Sequence, residues 1–216
     1  MLKITILTSI PELKKNEFEE LLSFVSKEKQ ERIKKYHFFR DAQNCLLGDI
    51  LSRIEICRVT GFCNDQLRFS VNKYGKPFLS TNHYVHFNVS HAANYIACAI
   101  SDEHVGIDIE TIKTVDFRIA ERFFTSDEIT YVMACEKTIR FYEIWTKKES
   151  RIKWEGKGLY IPLNSFSVFD SSEYGKSNYH KVFQNDEAMC HIYSLKNEKP
   201  SISIIDTNIL MNNIAL

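Results

Sequence analysis

The sequence holds no CxxC pair, no apolar run of membrane-spanning length and no excess of charge of either sign, and each absence removes a class of function. Six cysteines, Cys45, Cys57, Cys63, Cys98, Cys135 and Cys190, lie far apart, without the paired spacing or the His-rich partner segment of a zinc site. Thiols scattered in this way read as reduced, packed residues of a cytoplasmic protein. Basic and acidic side chains number 28 each. A nucleic-acid partner held by a net positive field is therefore not indicated, and any anion site has to be local. The start, MLKITILTSIPELKK, has too short an apolar stretch for a signal peptide and lacks a small-residue cleavage site. No later segment is long enough to span a bilayer, so a soluble protein with no membrane partner is expected. There is also no GxGxxG after a strand, no Walker loop, no GxSxG elbow and no HExxH, which removes the mechanical parts of nucleotide-loop, hydrolase-elbow and zincin chemistry.

What is present is enough apolar material for a real core, 44% of 216 residues, as one large domain or two small ones. Met1 to Ile10 alternates around Leu2, Ile4 and Ile6 and reads as a strand closed by Pro11. A helix is predicted from about Glu12 to Val25, and Ser26 is a good N-cap for a second, charged one. Leu46, Leu47, Ile50, Leu51 and Ile54 mark a long buried helix from Asp41 that ends near Gly61. From Leu67 to Ser101 the texture changes to short strands and turns, LRFSVN, KYGKPFL, VHFNVS and NYIACAIS, with a reversal at His91 to Asn94. VGIDIE, Val105 to Glu110, is one more strand. Helical pattern then runs from Asp116 to about Glu155, ended by Gly156 and Gly158. Strands are predicted again in IPLNSFSVFD, around Cys190 to Leu195, and over Ser201 to Ile205.

Strand, helices and strands thus occur twice. Tyr36 to Ile50 and Ile139 to Lys153 are both aromatic-rich helices followed by a Gly turn. The expectation is a pseudo-duplicated α+β architecture, 1–102 and 103–216, with a cleft between the halves, although no Pro, Gly or Ser tract marks the boundary.

Asp108 and Glu110 sit two apart in GIDIE, so the pleat sends both carboxylates to one face while Ile107 and Ile109 face the core. Two oxygen donors on one face suit a hard cation such as Mg²⁺; the competing reading is the polar outer face of an antiparallel strand. In WTKKESRIKWEGKGL, Trp145, Glu149 and Lys153 recur at one-turn spacing. Glu149 can complete a carboxylate set and Lys153 can reach a neighbouring phosphate, against the plainer reading of an exposed i,i+4 pair. FNVSH presents Ser90 and His91 at a strand mouth, where a histidine carrying charge near neutral pH can hold phosphate or simply be structural. Lys27, Lys29, Arg32, Lys34 and Lys35 are likewise a phosphate grip or an ordinary solvated face.

Taken in chain order, YGKP (Tyr74 to Pro77), FNVSH, GIDIE, FFTSDE (Phe123 to Glu128), WTKKES and the K-x-x-G-K-G-L run from Lys153 closely resemble the Sfp-type 4'-phosphopantetheinyl transferases over nearly the whole chain. GIDIE followed about forty residues later by W-x-x-K-E-S-x-x-K-x-x-G-K-G is the specific part. The resemblance implies a monomer of two similar α+β lobes with coenzyme A in the cleft between them. It makes Asp108, Glu110 and Glu149 the Mg²⁺ carboxylates and puts Lys153 on the pyrophosphate. Lys29, Arg32 and His91 would take the 3'-phosphate, while Lys76, Ser90 and the adjoining turns would line the adenine and phosphate end.

Trp145, Lys148 and Glu128 match family positions of supporting role. The catalytic set implied is Glu149, Lys153 and Asp108, with Glu149 as general base, directly or through a metal-bound water. The implied partner is an apo acyl or peptidyl carrier protein docking beside Thr111 to Thr125, with Phe117, Arg118, Arg122, Phe123 and Phe124. Two departures stand out. Asn44 and Cys45 replace the Arg and Thr common in the family, and Ala92 and Ala93 follow the motif histidine. The alternatives weighed are a metal-dependent hydrolase of the coenzyme A pyrophosphate and a non-catalytic coenzyme A binding module.

Overall fold

The opening alternation forms β1 (Leu2–Leu7) in the computed structural model of the chain, which describes residues 1–170 and 178–214. Pro11 to Lys14 stays outside the helix, where the buried Gln43 grips it from both sides, accepting from Leu13 N–H and donating to the Pro11 carbonyl. Helix α1 (Lys15–Leu22) is therefore shorter than the pattern predicts. Ser26 caps α2 (Lys27–Ile33) by accepting from Lys29 N–H. The long buried helix is α3 (Phe39–Thr60), stopped by Gly61 in the left-handed region at φ 73°.

The strands that follow are β2 (Phe69–Val71), β3 (Pro77–Leu79), β4 (His86–Ala92), β5 (Tyr95–Ser101) and β6 (Val105–Thr111). β2 and β3 form their own hairpin, while β4 and β5 pair in register from His86–Ser101 to Ala92–Tyr95. The reversal between β4 and β5 places Ala93 at φ 47°, and the side-chain amide of Asn44 on α3 donates to its carbonyl. Asn44 thus holds a strained hairpin turn.

Next come α4 (Arg118–Phe123), α5 (Ser126–Ala134) and α6 (Lys137–Glu155), then β7 (Tyr179–Gln184), β8 (Ala188–Ser194), β9 (Ser201–Ile205) and α7 (Thr207–Ile214). One sheet has the order β4-β5-β1-β9 and another β6-β8-β7. β9 lies parallel to β1, so the chain returns at its end to the sheet in which it began. The predicted strand in IPLNSFSVFD is replaced by a single 3-10 turn, Leu163–Ser165, and bends. Its backbone is engaged by side chains instead of a ladder. The fully buried Lys148 donates to the carbonyls of Leu163 and Phe166, and Glu128 accepts from Val168 N–H.

Two cores follow from the pleat of β5, which is buried along its whole length. Ile96, Cys98 and Ile100 face Leu46, Leu47, Ile50 and Leu51 of α3. Tyr95, Ala97 and Ala99 join Ile4 and Ile6 against Ile107, Ile109, Cys190 and Ile192 of the other sheet. A third, aromatic cluster gathers Phe124, Phe141 and Ile144 with Trp145, linking α4, α5 and α6. The fold is α+β.

Candidate active site

Gly106 decides where α6 lies. A Cβ at this position would stand 1.9 Å from the Ser150 carbonyl oxygen and 2.4 Å from the Trp154 nitrogen, so helix backbone rests directly on strand backbone. Glu149 and Lys153 are carried over β6 by that contact. The competing reading of GIDIE as a polar, outward face does not hold. Val105 to Ile109 is buried throughout, because the second sheet's own helix covers the carboxylate side.

Lys153 Nζ donates to Asp108 Oδ1 and to Ser90 Oγ, both at 2.7 Å, and Ser90 Oγ donates in turn to Asp108 Oδ1 at 3.0 Å. Neighbouring strands β4 and β6 are also tied by Ile107 N–H, which donates to the buried Asn88 side chain at 2.8 Å. Asp108 is 3% exposed, and its second oxygen, Oδ2, is buried with no hydrogen-bond partner. Burial raises the Asp108 carboxyl above the ordinary range against the pull of Lys153. Glu110 is pushed up to about 7, first by burial and then by the Asp108 charge, with Lys153 and the Trp145 indole opposing. Glu149 is raised by burial and by Asp108. Three carboxylates therefore share one field with a single ammonium.

Among the described residues no three His, Cys, Asp or Glu side chains form a finished metal cage. The donor chemistry nevertheless fits a hard divalent cation. An orphaned buried carboxylate oxygen and two half-buried glutamates raised by burial and then by negative charge are the groups such an ion would relieve.

Beside this cluster lies a pocket of about 440 Å³, walled by Lys29, Arg32 and Tyr36 from the α2 side and by Cys45 and Gly48 from α3. Gly75, Pro77, Asn88 and His91 complete its rim. Lys29 forms an ion pair with Asp49 at 3.2 Å, and Asp49 also pairs with Arg53 at 2.6 Å. His91 is exposed at the wall yet crowded. That crowding, and then Lys153 and Lys29, hold its imidazole below the usual histidine range against the opposing Asp41 charge.

The named residues thus fall into three groups. Lys29, Arg32 and His91 converge on the pocket. Asp108, Glu110, Glu149 and Lys153 form the acidic cluster, and Ser90 meets Asp108 and Lys153 there. Lys76 joins neither group, for its ammonium meets the carbonyls of Val105, Lys153 and Trp154. Cys45 faces the pocket, whereas Asn44 is spent on the Ala93 turn. Glu128 and Lys148 form a fully buried ion pair at 2.8 Å. Trp145 stacks on Phe141 at 5.8 Å and hydrogen-bonds Glu110. Along the expected docking lip, Phe117, Phe123 and Phe124 pack into the aromatic core, while Arg118, Ile119 and Arg122 stay exposed.

Residues 12–103 match the family model described as 4'-phosphopantetheinyl transferase, N-terminal, and residues 104–205 match that of the 4'-phosphopantetheinyl transferase superfamily. The chain is 42% identical over 159 residues to 4'-phosphopantetheinyl transferase Sfp of Bacillus subtilis (strain 168), covering 72% of this chain and 71% of that one. The chain belongs to the 4'-phosphopantetheinyl transferase family. Other members include 4'-phosphopantetheinyl transferase gsp of Aneurinibacillus migulanus, 42% identical over 73% of this chain and 67% of its own. More distant is the L-aminoadipate-semialdehyde dehydrogenase-phosphopantetheinyl transferase of Saccharomyces cerevisiae, at 28% over 68% of this chain and 58% of its own. In this transferase the contacts among Ser90, Asp108 and Lys153 join β4, β6 and α6.

Proposed function

We propose that this transferase moves the 4'-phosphopantetheine arm of coenzyme A onto a serine of an apo acyl or peptidyl carrier protein, with Mg²⁺ held by Asp108, Glu110 and Glu149. It would work as a cytoplasmic monomer, in a cleft between two α+β halves, residues 1–102 and 103–216. The observation that carries the reading is the knot of Lys153, Ser90 and Asp108, set among two further carboxylates and opening toward a pocket with Lys29, Arg32 and His91. A cation site next to an anion site is what a nucleotide pyrophosphate requires.

The reaction is in-line attack of the carrier serine hydroxyl on the β-phosphorus of coenzyme A. The new serine–phosphorus bond forms as the pyrophosphate bond breaks, releasing adenosine 3',5'-bisphosphate. Mg²⁺, when bound, supplies Lewis-acid neutralisation of the pyrophosphate charge. Lys153 turns its ammonium from Asp108 to the pyrophosphate and stabilises negative charge developing on oxygen. Lys29, Arg32 and His91 hold the 3'-phosphate, with Gly75 and Pro77 bordering the base end.

Glu149 takes the serine proton. It does so directly or through a water: burial and Asp108 raise its carboxylate, and a cation held by it would draw that carboxylate back down. The carrier, acidic by class, meets the exposed Arg118, Ile119 and Arg122. Glu149→Gln tests the assignment in a Mg²⁺ titration of transfer to an apo carrier. We expect turnover to fall about 100-fold or more, the usual size of a general-base contribution. A variant that binds the metal and keeps near-full turnover contradicts it.

A further inference from the structure

Three hydrogen-bond donors are all that a lysine ammonium has. Lys76 places its own on the carbonyls of Lys153 at 2.5 Å, Val105 at 3.2 Å and Trp154 at 3.3 Å. Nothing is left with which to hold a phosphate. Among the described residues no carboxylate pairs with it, so the charge is balanced only by backbone oxygens, two of them from the last turn of α6. A helix C-terminus offers such unpaired carbonyls and favours a cation there.

A second stitch runs beside the first. Asn72 donates its side-chain amide to the Gly156 carbonyl at 2.8 Å, and its side-chain oxygen accepts the N–H groups of Tyr74 and Lys76. Gly156, at φ 68°, gives room for both: a Cβ there would lie 2.8 Å from Lys76 Cδ and 3.2 Å from Asn72 Nδ2. The Tyr74 and Tyr160 rings close the same junction at 5.2 Å.

The junction joins two functional ends. Gly75 and Pro77, on either side of Lys76, border the pocket of Lys29, Arg32 and His91. Lys153, whose carbonyl Lys76 grips, carries the ammonium that meets Asp108. We propose that Lys76 is a positioning residue: its ammonium clamps the Asn72–Pro77 turn to the end of α6 and so fixes the span between the nucleotide pocket and the Lys153–Asp108 cluster. The inference rests on the transferase reading above. Burial of the ammonium, which lowers it to about 8, accords with a group that works through geometry and not by meeting substrate.

A clamp of this kind matters only to a ligand that reaches both ends. The test measures transfer kinetics and thermal unfolding of Lys76→Met and Lys76→Arg, with calorimetric binding of adenosine 3'-monophosphate, which lacks both pyrophosphate phosphates and so occupies the pocket end alone. For Lys76→Met, loss of a charge-assisted hydrogen bond should raise KM for coenzyme A about tenfold. The fragment's Kd should shift less than about twofold by the same reasoning. Lys76→Arg, which keeps a donor for the carbonyls, should recover part of the loss. Equal weakening of fragment and coenzyme A would overturn the proposal by showing direct contact. A lower melting temperature with unchanged kinetics would overturn it by showing a merely structural role. If Lys76→Met does not fold, Gly156→Ala, which crowds the clamp and leaves the ammonium intact, carries the same comparison. Wild-type protein that leaves every carrier unmodified would instead remove the transferase reading itself.

Discussion

Lys153 and Asp108 show how much one residue's meaning depends on its neighbours. The pattern around Glu149 and Lys153 is equally that of a solvated i,i+4 pair, but the structure turns Lys153 toward a carboxylate that is 3% exposed. Removing the ammonium leaves a buried charge without its partner, so Lys153→Met is expected to lower stability by about 2 kcal/mol as well as to abolish most transfer. Urea unfolding and carrier modification measure the two effects separately. His191, opposite Asp108 in the ladder, gives a pH test. It is 1% exposed and hydrogen-bonded to Thr146, and burial lowers it from 6.5 to about 3. Between those values the unfolded chain binds a proton that the folded chain does not, so stability falls as pH drops from 6.5 toward 3. At pH 5.5 the loss is about 1.4 kcal/mol, and His191→Gln should flatten that acid limb of a stability-versus-pH curve.

The elements were readable wherever a local signal sets them: Ser26 and Gly61 at helix ends, the alternation of β1, and the spans of GIDIE and Ser201 to Ile205. IPLNSFSVFD was not, because its conformation comes from Glu128 and Lys148, which are distant in sequence and take its backbone groups one by one. Both are fully buried, so Lys148→Met should cost about 3 to 5 kcal/mol in thermal or urea unfolding by stranding Glu128.

The placement of Ser90 and Lys76 was equally invisible. Which turn meets which helix end is a tertiary fact with no periodicity to announce it, and the motif order implied only that both lie near the ligand. The contact of β6 with α6 is the element-scale counterpart. Gly106→Ala drives a methyl into the Ser150 carbonyl and should destabilise by about 3 kcal/mol. Transfer by the residual folded protein should also fall, because Glu149 and Lys153 shift relative to Asp108.

At the scale of the molecule, equal numbers of acidic and basic groups coexist with strong local separation of charge: a basic pocket wall beside an acidic cluster. No helix among the described residues is long and apolar enough to cross a membrane. The sequence motifs were enough to name the pieces, and the fold supplies the reason they act together, since two sheets and α6 bring β4, β6 and the helix face to one place. The direct test is the intact mass of an apo carrier protein after incubation with the enzyme, coenzyme A and Mg²⁺. A gain of one phosphopantetheine, lost on removal of Mg²⁺ and in Asp108→Ala, is the expected result. Cleaved coenzyme A with an unchanged carrier, or no change in either across acyl and peptidyl carriers, would contradict it.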